Sequence, residues 1–158
     1  MNSIKDYPTA GMIRRFAALF YDALIILAIE MLAAGVVVAI LEAGLAMGIV
    51  NYGQYADVGD FLSKHPIWSP LYTFYLAVIW IGFFAYFWTR AGQTLGMRAW
   101  KLKLISEEGP KVTLTQALIR IATSGFGLAN LAVPVDPKKR AFHDIWAKTR
   151  VIVLPKAN

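Results

Sequence analysis

The 158-residue chain has no cysteine, which removes disulfide frameworks and thiolate chemistry from consideration. It has two histidines, too few without cysteine to build an ordinary zinc centre, so neither metal nor cofactor is expected. Charge is scarce as well, at 16% of residues against about a quarter in a soluble domain. A disordered chain needs the opposite balance. What fills the space is apolar: 58% of residues, against about 45–50% in soluble domains. A chain this small leaves roughly a third of its surface exposed, so it cannot hide that much apolar area from water. Part of it must be solvated by lipid.

Two stretches are long and apolar enough to cross a bilayer, which takes about 20 helical residues. The first covers about 16–41 and carries Asp22 and Glu30 as its only charges. Lys5, Arg14 and Arg15 precede it as in a signal peptide, but its apolar part is too long for that, so a retained anchor is expected. The second covers 67–89 and has no charge, with Trp68, Tyr72 and Tyr75 toward one end and Tyr86, Phe87 and Trp88 toward the other. Aromatic rings at both ends suit two water–lipid boundaries. A third hydrophobic stretch, 112–135, is divided by Arg120 and interrupted by Gly125, Gly127, Asn130 and Pro134. Thr113 and Gln116 form a capping box, so a helix should start near Leu114 and loosen around Gly125.

Charge sets the orientation. Residues 1–15 carry net +2 (Lys5, Arg14 and Arg15 against Asp6), 42–66 net −2, 90–111 net +3 and 136–158 net +4. Lys and Arg collect on the cytoplasmic side, which places the N-terminus, the 90–111 loop and the tail inside and the 42–66 loop outside. The third stretch should then dip in and return near 125–130. Two short β runs agree: Leu102 and Leu104 alternate with Lys101 and Lys103, and Thr149 to Leu154 is a second run, so the two can pair if they share a side. Asp136-Pro137 is expected to open a short helix through about Ala147, with Phe142, Ile145 and Trp146 on the face that lies on the membrane. The expected fold is an all-α integral membrane protein, one domain over 1–158. It would have two transmembrane helices, a split or re-entrant third segment, a small cytoplasmic strand pair and an interfacial helix.

The stretches GMIRRFAALFYD (Gly11–Asp22), GQTLGMRAWKLKLISEEG (Gly92–Gly109), LTQALIR ending at Arg120 and RAFHDIWAKTRVIV (Arg140–Val153) together resemble the RDD family. These are small bacterial membrane proteins named for one arginine and two aspartates. The resemblance covers essentially the whole chain except the loop 44–64. It puts the arginine on Arg15, the first aspartate on Asp22 and the second on Asp144, with Asp136 as the other choice. It implies a bacterial inner-membrane protein for which transport has been suggested, including sodium–proton exchange in some members.

Arg15 and Asp22 lie seven apart, on one helix face but about 10 Å apart along the axis, so each needs another partner. Arg15, Asp22, Arg120 and Asp144 are therefore expected to form one polar cluster at the cytoplasmic end of the bundle. It would be either a clamp that fixes the helices or a cation or proton site, with Asp22 and Glu30 titrating. His143, beside Asp144, could orient or shuttle a proton, and Asp136 is secondary. Gly92–Gly96 lacks the Gly-Lys-Ser/Thr ending of a phosphate loop. Nothing resembles a nucleophile with its base, so no enzyme is expected. The net charge of +6 fits anionic headgroups on the cytoplasmic side better than nucleic acid, because the basic residues flank the spans. Two roles follow: a cation- or proton-linked transport component working as an oligomer, or a non-transporting accessory, assembly or scaffold subunit of a larger membrane complex.

Overall fold

The computed structural model describes residues 7–155 and is mostly helical, with one small antiparallel sheet. Lys5, Asp6 and Lys156, which enter the charge balance above, lie outside the described residues. The order is α1 (Met12–Ala46), α2 (Val58–Lys64), α3 (Trp68–Arg90), α4 (Leu95–Ala99), β1 (Leu102–Ser106), α5 (Leu114–Thr123), a 3-10 segment (Gly125–Ala132), α6 (Phe142–Trp146) and β2 (Thr149–Val153). Among the described residues, α1 and α3 are the two helices long and apolar enough to cross a membrane. α1 runs past 16–41 at both ends, and its 35 residues span about 52 Å. Leu24, Leu27, Met31, Leu32, Val36 and Ile40 are all exposed, so the helix is apolar around much of its circumference.

The described chain forms two compact units. One comprises Ile26–Trp80. Its core is Tyr52, Phe61 and Leu62, with Val37, Val38, Leu41 and Tyr72 packed against them. The loop between α1 and α3 therefore has structure of its own: Asp57 caps α2 by accepting from the Asp60 N–H at 2.7 Å.

The other unit takes the described chain up to Ile25 and from Ile81 onward. β1 pairs with β2 in the register Leu102↔Val153 to Ser106↔Thr149. Residues 8–10 lie along the outer edge of β2, where Ala10 N donates to Val151 O at 2.8 Å and Val153 N to Pro8 O at 2.9 Å. Leu102, Leu104, Val151, Ala10, Ala18, Met97 and Val112 form the core between this sheet and α1. Leu104 N donates to Gly92 O at 2.7 Å, and Gly92 has φ 67° with a carbonyl where a Cβ would stand, so only glycine fits there.

α5 starts where its capping box requires: Thr113 accepts from Gln116 N at 3.2 Å and Gln116 Oε1 accepts from Thr113 N at 3.1 Å. It ends at Thr123, and the following 3-10 segment is broken at Phe126 and Gly127, where φ is 53° and 98°. Neither piece is long enough to span a bilayer. The helix expected to open at Asp136-Pro137 begins instead at Phe142. Asp136 is occupied in a turn, accepting from Arg140 N at 2.9 Å, and Lys139 stands at φ 52°, which no continuing helix tolerates.

Both α5 and α6 are inverted relative to helices of a water-soluble protein. Gln116 and Arg120 of α5 are buried while Leu114 and Leu118 are exposed. His143 and Asp144 of α6 are buried while Phe142, Ile145 and Trp146 face outward.

Candidate functional site

Asp144, on the first turn of α6, is fully buried. Its Oδ2 accepts from Ala141 N at 2.9 Å, which closes the start of the helix, and from Arg15 Nη1 at 2.7 Å. Its Oδ1 accepts from Arg120 Nη1. One carboxylate thus ties α1, α5 and α6 together.

Each guanidinium is fixed a second time. Arg15 donates through Nε to Ala10 O at 3.0 Å and through Nη2 to Lys139 O at 3.2 Å. Arg120 Nη1 also donates to Thr149 Oγ1 at 2.6 Å, at the start of β2, and its guanidinium lies 5.0 Å from the centre of the Trp88 ring. A cation over an indole face is favourable, the more so out of water. Arginine suits this task because its planar fork holds several acceptors at once while staying charged.

Two guanidiniums against one carboxylate leave a positive surplus around Asp144. Burial pushes the Asp144 carboxyl up, but Arg120 and then Arg15 outweigh it and hold it well below the ordinary carboxylate range. His143 is buried with Nε2 3.6 Å from Asp144 Oδ1. Its burial, reinforced by the Arg120 charge, pushes the imidazole down to about 3, so it is neutral at physiological pH.

Asp22 departs from expectation. It is buried, yet the structure brings neither Arg15 nor Arg120 to it. Its Oδ2 accepts from Thr94 Oγ1 at 2.5 Å and its Oδ1 from Gly96 N at 2.8 Å. Thr94 Oγ1 in turn accepts from Met97 N at 3.2 Å as the cap of α4. The reason is axial distance: two turns beyond Arg15, the chain beside α1 is α4. A Cβ on Gly96 would collide with the Ala18 carbonyl oxygen and stand 2.9 Å from the Asp22 carboxyl. Glycine at that position is what lets α4 approach.

The remaining expected residues lie elsewhere. Asp136 pairs with Arg140, at 3.1 Å to Nε and 3.2 Å to Nη2, and does not join the clamp. Glu30 belongs to the other compact unit, is half-buried and has no ion-pair partner among the described residues. The sequence marks Trp88 as a boundary aromatic, Thr149 as a strand start and Gly96 as the end of a glycine-bounded stretch, none of them as a site residue, while Thr94 is of a helix-capping residue type.

A sequence model of the RDD family matches residues 9–148, most of the chain. The chain belongs to the RDD family. A search of curated proteins and a search of solved structures each find no match. Membership of the RDD family, with two helices of this length and apolarity, suggests a membrane protein. In this RDD protein the arginine and two aspartates named by the resemblance occupy two stations. Arg15 and Asp144 meet in the charged clamp, while Asp22 docks α4 through neutral donors.

Proposed function

We propose that this RDD protein is a multi-pass membrane protein with both ends in the cytoplasm. In this reading the arginine–aspartate clamp is architectural, and the chain serves as a non-catalytic, non-transporting accessory or assembly subunit of a larger membrane complex. The observation that carries the reading is the inverted arrangement of α5 and α6 around Asp144. Arg120 and Asp144 bind one another, Gln116 is held by Ser106 and the Lys148 carbonyl, and the leucines and aromatics of the two helices face out. Such helices suit the interfacial layer of a membrane, lying on it rather than crossing it. An acid held by two arginines has no reason to release or accept a proton in a transport cycle, which favours assembly over proton-coupled exchange.

The strand pairing supports the orientation in this reading. Residues 8–10 bridge to β2, which pairs with β1, so the described segments just before α1 and after α3 would share one side. That side carries the excess of Lys and Arg, which is the cytoplasmic signature.

A second reading, a cation- or proton-linked transport component working as an oligomer, is favoured by Glu30. It is a half-buried acid on an apolar helix with no ion-pair partner among the described residues. An intramembrane acid is by default a functional candidate. Reconstitution separates the two. The assembly reading expects sealed liposomes holding the purified chain to show no cation-driven proton flux above empty vesicles. Flux that disappears in Glu30→Gln, with the variant still folded, would overturn it in favour of transport.

A further inference from the structure

Beside the clamp, an open cavity of about 510 Å³ is lined by Lys138, Lys139, Arg140 and Arg150, with Pro8, Thr9, Pro137 and Glu107 completing the wall. We propose that this cavity binds a phosphoryl group carried by a larger molecule, with an anionic phospholipid headgroup as the favoured source.

Charge is the first argument. Among the described residues, Lys138, Lys139, Arg140 and Arg150 line the cavity with Glu107 as the lining carboxylate, and Arg140 is paired with Asp136. The exposed lysines, Lys138 and Lys139, suit the oxygens of a phosphoryl group. Arginine forks and lysine point charges are the side chains that recognise phosphate oxygens.

Preorganisation is the second. The basic loop 137–140 does not hang free. Lys139 is held at φ 52°, a costly conformation for a side chain with a Cβ. It is held there by Lys139 N donating to Asp136 O at 2.8 Å, by Arg140 bound to the Asp136 carboxylate, and by Arg15 of the clamp donating to Lys139 O. Backbone strain sustained by three contacts keeps Lys138, Lys139 and Arg140 around one cavity.

Size and place are the third. The volume lies within the range of ligand sites and far exceeds a bare phosphate ion, so the phosphoryl group should belong to something larger. The cavity lies against Pro8, Thr9 and Arg150 of β2, on the side that carries the basic excess, and the apolar faces of α5 and α6 belong to the same compact unit. A headgroup there would have its acyl chains within the layer those faces occupy. The lipid source rests on the membrane reading above; the phosphoryl chemistry does not.

The test uses the full chain in mild detergent and measures binding of dihexanoyl-phosphatidylglycerol, dihexanoyl-phosphatidylcholine and inorganic phosphate. The variant Lys138→Gln/Lys139→Gln is compared with Lys101→Gln/Lys111→Gln, which removes equal charge away from the cavity. Expected is a tenfold or greater loss of phosphatidylglycerol affinity in the first pair and under twofold in the second, with unfolding temperatures unchanged. If Lys139→Gln disturbs the turn, Lys138→Gln against Lys111→Gln reads the same contrast. Phosphate binding with the same variant dependence, and phosphatidylglycerol no tighter than phosphate, keeps the site and moves its source to a soluble phosphorylated compound. Equal weakening in both pairs, equal binding of the two lipids, or no binding of any probe overturns the proposal.

Discussion

Asp144 is fully buried, and the donors around it, Arg15, Arg120 and the Ala141 amide, are arranged for a negative charge. Asp144→Asn keeps the shape and removes the charge, leaving Arg15 and Arg120 buried against each other. Breaking a buried pair in this way typically costs about 3–5 kcal/mol. Denaturant titration in mild detergent should show a loss of that order. In Asp144→Asn/Arg120→Gln, where the surplus cation is gone as well, part of the loss should return. Strict additivity of the two single losses would mean that the residues do not act as a unit. His143 supplies a pH dependence at the same site. Its imidazole is ordinary in the unfolded chain, near 6.5, and falls to about 3 when folded. Below pH 6.5 the unfolded chain therefore takes up a proton that the folded one refuses. Stability is complete above 6.5 and declines as pH falls toward 3, by up to about 1.4 kcal/mol per pH unit. The Asp144 contribution, whose folded value is also depressed, is intact above the ordinary carboxylate range and fails only at more acid pH. Melting curves of wild type and His143→Gln between pH 5 and 7 should thus diverge toward the neutral end, the variant staying flat. Parallel curves would mean that the imidazole is not buried neutral.

Between elements, the contact that most needs its sequence is α4 against α1. Asp22 receives Thr94 and the Gly96 amide, and no other residue type at 96 leaves room for the Ala18 carbonyl. Gly96→Ala should destabilise by about 1–3 kcal/mol, the usual result of forcing a methyl group into a packed contact. Gly109→Ala, where a Cβ meets nothing within 4 Å, should leave stability unchanged, and similar melting of the two variants would refute the close approach. This contact also marks the limit of what the sequence discloses. The span helices, the Thr113–Gln116 start of α5 and both strands were legible because periodicity and capping are local signals. The meeting of Arg15 with Asp144 and Arg120 was legible only in part: buried charges must pair, but it was the family resemblance that singled out Asp144. Asp22 misled because a carboxylate can be satisfied equally well by a hydroxyl and an amide, and neither announces itself in a sequence. Asp136-Pro137 misled for the opposite reason: it has the right types for a helix start, but Arg140 captures the carboxylate before a helix can use it. α2, with Asp57 and Asp60 at its start, lies inside the 42–66 loop, for which the sequence alone names no element.

At the scale of the whole chain, membrane crossing and strand pairing constrain each other. Residues 8–10 touch β2, and β2 pairs with β1, so in the membrane reading proposed above three segments separated by α1, by α3 and by the stretch 114–132 meet on one side. Two full crossings by α1 and α3 would satisfy this. A third by 114–132 would tear β2 from β1, and neither α5 nor its 3-10 continuation has the length of a span. The absence of cysteine makes the consequence easy to check, because any introduced thiol is the only one present. Gln54→Cys lies in the exposed loop between α1 and α3, Lys138→Cys lies exposed after the 3-10 segment, and Glu107→Cys lies just past β1. In intact cells a membrane-impermeant maleimide should label Gln54→Cys alone. After the membrane is opened, all three should react. Labelling of Lys138→Cys from outside while Glu107→Cys stays protected would put β1 and β2 on opposite sides. That outcome is incompatible with their pairing and would remove the basis for a clamp that draws Arg15, Arg120 and Asp144 to one boundary.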